Sequence, residues 1–288
     1  MEIKRLDSCG LCPDRLGRSL NLRHDSDIRY LHYQKLKDRK FIRNHPQCIG
    51  RKLMKLFRKY YFGVRLLFLF PKLHTIRPNN VIHSKKVARY RAREEELKDL
   101  FNSHGSDKAY MHNYFEIYAS ILDSLVGNDI QILEFGLGTN NLKIPSNMGG
   151  HFKPGGSLRA LKSFVPSAQI YGADIDYEIL FNEKDIQTCW IDQTKTKTFS
   201  NIHKLLEGKS LDMIIVDGLH QPFADINTLD KVLPYLKING DMFVEDIEDS
   251  GFVRLIWGLA KRVLSKEYYQ TEMFEMRGGL VFQITRRK

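Results

Sequence analysis

The chain has 288 residues, enough to bury a full core, and its 42% hydrophobic and 27% charged content excludes a disordered or fibrous protein. Its formal net charge of +11 is lopsided: residues 1–100 carry 25 Lys/Arg against 10 Asp/Glu, and residues 101–288 carry 20 against 24. The basicity belongs to one segment, which excludes reading the whole chain as a nucleic-acid-binding surface.

Residues 1–48 show no sustained hydrophobic period. Residues 1–10 are polar and charged, unlike a secretory leader, and cysteines at 9, 12, 48 and 189 make no disulfide framework, so a reducing, cytoplasmic setting is expected. Cys9 and Cys12 form a lone CxxC, and His24 and His32 are badly spaced to complete a zinc site. Over residues 49–73, Ile49, Leu53, Phe57, Tyr60, Val64 and Leu67 recur every three or four positions with Arg and Lys between them. This spacing predicts a basic amphipathic helix. Its most apolar run, residues 66–70, is far short of the ~20 residues needed to span a bilayer. It either docks on the neighbouring domain or makes peripheral contact with an anionic membrane surface. A second helix is expected over residues 85–101, closing an N-terminal region of residues 1–100 before a domain of residues 101–288.

From there apolar runs and helical patterns alternate. Strands are expected over residues 130–135 (IQILEF), 169–173 (QIYGA), 186–191 (IQTCWI), 211–216 (LDMIIV) and 241–244 (DMFV), and helices over 157–164, 199–206 and 223–236. Strands alternating with crossover helices imply an α/β fold, a doubly wound and mostly parallel sheet with helices on both faces. The end differs. Residues 268–275 and 280–285 flank Arg277-Gly-Gly279 and read as a C-terminal antiparallel hairpin.

Ligands of such sheets sit at the C-terminal strand ends near the switch point. The first strand runs into Glu134-Phe-Gly-Leu-Gly138, where Gly136 and Gly138 either let the backbone approach a ligand or simply make a tight turn. Asn141 stands where a dinucleotide pattern needs its third glycine. The second strand ends in Gly172-Ala-Asp-Ile-Asp176, where Asp174 or Asp176 could accept from two ribose hydroxyls. The third brings Asp192, which could receive an exocyclic amine. One nucleoside lying across three neighbouring strand ends would use them all. Strand four ends at Asp217 with His220 three residues on, and strand five runs into Glu245 and Asp246. Three carboxylates from adjacent strands would repel unless a divalent cation joined them, and an all-oxygen set suits Mg²⁺. His220 could lean over that cation as a general base. The alternative makes the acids N-terminal caps, Asp217 in a DG turn and Glu245-Asp246 before a helix from Gly251.

The ExGxG, GxD and third-strand aspartate pattern resembles class I S-adenosylmethionine-dependent methyltransferases. Ser103-His-Gly-Ser-Asp-Lys108 with His112, Pro154-Gly-Gly-Ser-Leu-Arg159 and the Asp-Gly-x-His stretch at 217–220 narrow the likeness, over about residues 101–285, to metal-dependent sugar O-methyltransferases acting on macrolides and other glycosides. The resemblance implies a Rossmann-like methyltransferase fold and S-adenosylmethionine held by Ser106, Glu134, Gly136, Gly138, Ser157, Asp174, Asp176 and Asp192. It also implies Mg²⁺ on Asp217, Glu245 and Asp246, His220 as base, and a sugar hydroxyl on a small molecule or glycan as acceptor. Val216 departs from the family, where an acid is common, and so does Leu219, where a small polar residue is usual. Competing readings are an RNA methyltransferase using the basic region, a non-catalytic nucleoside-binding protein and a nicotinamide dehydrogenase. Few stacking aromatics in residues 1–48 count against RNA, the Asp217, His220, Glu245 and Asp246 set against mere binding, and Asn141 against a dehydrogenase.

Overall fold

The computed structural model describes residues 81–82, 91–125, 129–150, 152–264 and 266–288. The CxxC pair and the amphipathic helix expected over residues 49–73 lie outside the described residues, as does the start of the helix expected from residue 85.

Among the described residues, nine strands form one sheet: β1 (Val81–Ile82), β2 (Gln131–Phe135), β3 (Gln169–Asp174), β4 (Asn182–Glu183), β5 (Ile186–Trp190), β6 (Leu211–Val216), β7 (Leu236–Ile247), β8 (Tyr269–Met276) and β9 (Gly279–Arg286), in the order β1-β8-β9-β7-β6-β2-β3-β5-β4. The central run β7-β6-β2-β3-β5 is parallel throughout. β9 lies antiparallel between β7 and β8, as the C-terminal pattern predicts. After β2 the chain winds outward through β3 and β5, then returns to place β6 on the other side of β2. The switch point therefore lies between β2 and β6.

Alternation along each strand divides the apolar side chains between two layers, because successive side chains point to opposite faces. Leu133, Phe135, Tyr171, Ala173, Ile214, Val216, Met242 and Val244 join one buried cluster, whereas Ile132, Ile170, Met213, Ile215 and Phe243 join the other. The first layer is covered by α4 (Ser200–Leu206), α5 (Pro222–Val232) and α6 (Gly251–Val263), and the second by α1 (Arg91–His104), α2 (Phe115–Leu125) and α3 (Gly156–Phe164). Among the described residues, no helix is long and apolar enough to cross a membrane.

Several boundaries move for local reasons. α1 stops at Gly105, whose φ of +76° suits a residue without a β-carbon, and the Ser106 amide donates back to the Phe101 carbonyl at 2.8 Å. The helix expected over 223–236 ends at Val232 because Pro234 cannot continue it, and a 3₁₀ turn over Leu233–Tyr235 follows. β7 is much longer than the expected 241–244, with a register shift against β6 that lets Leu236 pair with Leu211. α2 falls in a stretch to which the strand-and-crossover pattern assigns no element. Its buried Phe115, Tyr118, Ala119 and Leu122 nevertheless keep strict helical spacing.

Trp257 of α6 is buried against Phe282 of β9, with ring centroids 4.9 Å apart, and fastens the first helical layer to the inserted strand. Trp257→Ala should lower stability by about 3–5 kcal/mol, measured by chemical denaturation of the full chain. A loss below about 1 kcal/mol would show that the layer does not depend on this contact.

Candidate active site

At the switch point the turns after β2 and β6 are in direct contact. The Asp217 amide donates to the Phe135 carbonyl at 2.9 Å, and the Gly136 amide donates to Ala173 at 2.9 Å. Gly136 has φ +88°, and a β-carbon there would lie 1.8 Å from the Asp217 carbonyl oxygen, so only glycine lets the two turns pack. The glycine is thus a requirement of the fold as well as of the floor beneath a ligand. Beside it opens a pocket of ≈ 480 Å³, within the range of small-molecule sites. Ser106, Gly136, Gly138, Ser157, Asp174 and Asp192 line it, as do Asp217, His220 and Asp246. Glu134, Asp176 and Glu245 do not.

On the nucleoside side, both Asp174 oxygens accept backbone amides, from Leu137 at 2.6 Å and Asp176 at 2.8 Å. Burial still holds its carboxyl above the ordinary carboxylate value, only partly offset by those amides. Asp176 accepts the Thr139 hydroxyl and the Glu178 amide, so it shapes the turn from behind. Asp192 accepts from the Thr194 amide and hydroxyl and pairs with Lys195 at 2.7 Å. Burial would raise its pKa, but these partners outweigh it and the carboxyl titrates below its usual value.

The expected crowd of unpaired carboxylates is not what the structure holds. Lys108, 1% exposed, points its ammonium among three of them: Nζ lies 2.5 Å from Asp217 Oδ2, 2.6 Å from Glu245 Oε2 and 3.3 Å from Glu134 Oε1. The other oxygen of Glu245 accepts the Tyr118 hydroxyl, and that of Glu134 accepts Ser157 Oγ at 2.8 Å. Both glutamates are fully buried and turned inward. Burial pushes each up from 4.5 to about 7 against the pull of the ammonium. Burial also acts to lower the Lys108 value, but Asp217, Glu245 and Glu134 more than offset it and hold the ammonium charged.

Facing the pocket, the structure brings together Asp217, His220 and Asp246, whose donor atoms lie within 4.8 Å of one another. His220 Nε2 is 3.6 Å from Asp217 Oδ1 and 3.8 Å from Asp246 Oδ2. Both His220 (φ +53°) and Asp246 (φ +51°) occupy the left-handed region, which is strained for residues with a β-carbon and recurs at functional sites. Glu245 points inward and Asp246 toward the pocket, the left-handed backbone at Asp246 setting the direction of the second. Neither acts as a helix cap: Ser250 caps α6 and Gln221 stands at the N-cap of α5. Val216 is fully buried in the core and lines no part of the pocket. Leu219 is fixed through its backbone, donating to Gln193 Oε1 at 3.0 Å and accepting from Ser146 at 3.2 Å.

Lys108, Tyr114, Tyr118 and Gln193 were not singled out by sequence reasoning. Lys108 lies in the Ser103–Lys108 motif, but one lysine in a polar stretch has no period to mark it as buried. Tyr114 donates its hydroxyl to Asp246 Oδ1, and burial together with the charges of Glu245 and Asp246 pushes its phenol upward, so it remains a donor. Gln193 holds the β6–α5 turn from both amide atoms, its Nε2 donating to Thr228 at 3.0 Å.

No protein-family model matches the chain. Over 160 residues it is 26% identical to mycinamicin VI 2''-O-methyltransferase of Micromonospora griseorubida, an alignment covering 54% of this chain and 37% of that protein. Among solved structures it matches the MycE methyltransferase from the mycinamycin biosynthetic pathway in complex with Mg and SAH, with a TM-score of 0.53 and 21% identity over 67% of this chain and 55% of that one. The complex of MycE with Mg, SAH and mycinamycin VI gives the same TM-score at 19% identity. The chain has the Rossmann-like class I methyltransferase fold and spans 37% and 55% of the lengths of the relatives it matches.

A pH dependence follows from the buried acids. Glu134 titrates near 7 in the fold against an ordinary 4.5, so between about pH 4.5 and 7 the folded chain holds more protons than the unfolded one, and stability falls as pH rises through that window. Glu134→Gln removes this contribution. Its melting temperature should decline less steeply across the window than that of the wild type, and parallel curves would contradict the assignment.

Proposed function

We propose that this chain is an S-adenosylmethionine-dependent O-methyltransferase whose acceptor is a sugar hydroxyl of a glycoside or glycan, working with a divalent cation, Mg²⁺ by preference. The observation that carries the reading is the convergence of Asp217 Oδ1, His220 Nε2 and Asp246 Oδ2 at the switch-point pocket. The mycinamicin relative supports the acceptor class.

The residues present fit both groups. Gly136 and Gly138 line the pocket with bare backbone, because a β-carbon would strike the Asp217 carbonyl oxygen at the first and the Met148 side chain at the second; such a floor, with Asp174 and Asp192 at neighbouring strand ends, suits a closely held nucleoside. The two carboxylate oxygens form a hard donor set with room for water or hydroxyl oxygens, the preference of Mg²⁺, and the imidazole beside them is left to take a proton. S-adenosylmethionine would supply an electrophilic methyl group, leaving as S-adenosylhomocysteine, and a divalent cation would lower the pKa of the acceptor hydroxyl.

The protein does the rest. Asp217 and Asp246 would hold the cation through the oxygens that face His220. His220 takes the hydroxyl proton at Nε2, the atom facing both carboxylates. The left-handed backbone at residue 220, latched through Leu219 to Gln193, keeps that nitrogen pointed at the site. Glu134 and Glu245 stay behind the site and secure Lys108.

The test combines binding and turnover. Purified chain should bind S-adenosylhomocysteine by calorimetry and methylate members of a glycoside panel from labelled donor, read by mass spectrometry. EDTA should stop turnover and Mg²⁺ restore it. His220→Ala should lose about 10²–10⁴-fold in turnover while binding S-adenosylhomocysteine and Mn²⁺ as well as the wild type. Full activity in that variant would remove the base assignment, and lost Mn²⁺ binding would make His220 a ligand instead.

A further inference from the structure

Asp217 and Asp246, the two carboxylates beside His220, each turn one oxygen toward it and give the other to a buried donor. Asp217 gives Oδ2 to Lys108 Nζ at 2.5 Å and leaves Oδ1 toward His220. Asp246 gives Oδ1 to the Tyr114 hydroxyl, with His112 Nδ1 3.4 Å from the same oxygen, and leaves Oδ2 toward His220. The two donors come from one short segment between α1 and α2, and each is itself held. Lys108 is gripped by Glu245 and Glu134. Tyr114 is 1% exposed and stacks on His112 with centroids 4.7 Å apart, while His112 Nδ1 lies 3.1 Å from the Arg277 carbonyl oxygen.

We propose that Tyr114, together with Lys108, is a positioning residue for the divalent-cation site: it fixes the rotation of Asp246 so that this carboxylate presents a single oxygen, as Lys108 does for Asp217. The inference rests on the cation reading above. A carboxylate free to rotate about its terminal bond can offer both oxygens or swing out of the pocket. One tied through a single oxygen offers the other at a set place and leaves coordination positions for an acceptor. Cations that demand near-octahedral geometry gain most from such preorganisation. The two tethers differ in kind. The ammonium of Lys108 adds positive charge beside the cation and so opposes its binding, whereas the neutral phenol of Tyr114 orients without repelling. Tyr114 therefore isolates the positioning effect.

The experiment measures Mn²⁺ binding to the full-length protein by calorimetry in four forms: wild type, Tyr114→Phe, Asp246→Asn and the double variant. S-adenosylhomocysteine affinity and melting temperature are recorded for each. Tyr114→Phe removes one hydroxyl and should weaken Mn²⁺ binding about tenfold or more, with S-adenosylhomocysteine affinity unchanged. In the Asp246→Asn background the same change should have no further effect, because the phenol acts only through that carboxylate. Unchanged Mn²⁺ affinity in Tyr114→Phe, equal losses in both backgrounds, or parallel loss of S-adenosylhomocysteine binding would each overturn the assignment while leaving the cation reading standing. Absence of Mn²⁺ binding in the wild type would overturn the cation reading, and this inference with it.

Discussion

A lysine ammonium removed from water keeps its charge only where anions replace its hydration, and Lys108 does so with carboxylates from three different strands. Glu134 comes from β2, Asp217 follows β6 and Glu245 lies in β7, three strands consecutive in the sheet. One side chain from outside the sheet therefore pins the α1–α2 segment across the switch point. Breaking such a pair by deleting one partner strands the others in low dielectric, a loss of about 3–5 kcal/mol. The excess of acid over base in this nest is relieved by protons, since both glutamates titrate near neutrality.

The nest also decides which acids reach the pocket. β7 carries Glu245 and Asp246 in adjacent positions, and an extended strand would send them to opposite faces. The left-handed conformation at Asp246 adds a bend at that point and aims its side chain toward Asp217 and His220. The inner acid is consumed in binding Lys108 and Tyr118, and the outer one keeps an oxygen turned toward His220 at the pocket. His220 reaches the same spot by the same device. Two left-handed backbones, one braced by Tyr114 on Asp246 and the other by Gln193 on Leu219, hold Asp246 and His220 side by side at the pocket.

Much of this was legible in the text of the chain. The strand ends that carry Gly136, Asp174, Asp192, Asp217 and Asp246 follow from apolar runs that stop at small or acidic residues, and the hairpin follows from Arg277-Gly-Gly279. The illegible parts share a cause: they depend on contacts distant in sequence. FVEDIED shows two acids but not the left-handed backbone that sets the direction of the second. The Ser103–Lys108 motif shows a lysine in polar company, whereas its burial depends on residues as much as 137 positions away. α2 has helical spacing in its own sequence, but a reading led by strands and crossovers had no place for it. Val216, where the resembled methyltransferases commonly have an acid, packs fully buried in the core.

The hairpin between β8 and β9 has a role beyond closing the sheet. At its tip, the Arg277 amide donates to Asn113, its guanidinium donates to the Tyr110 carbonyl, and its own carbonyl meets His112, so that the tip clasps the segment bearing Lys108 and Tyr114. Clasp and segment are 164 residues apart in the chain, and the hairpin is the last of the described elements to leave the ribosome. During synthesis, then, the parallel strands, the glycine turn and the carboxylates at their ends are made before the piece that locks them. A nascent chain can hold every one of these side chains and still lack their arrangement, which is complete only once β8 and β9 have emerged.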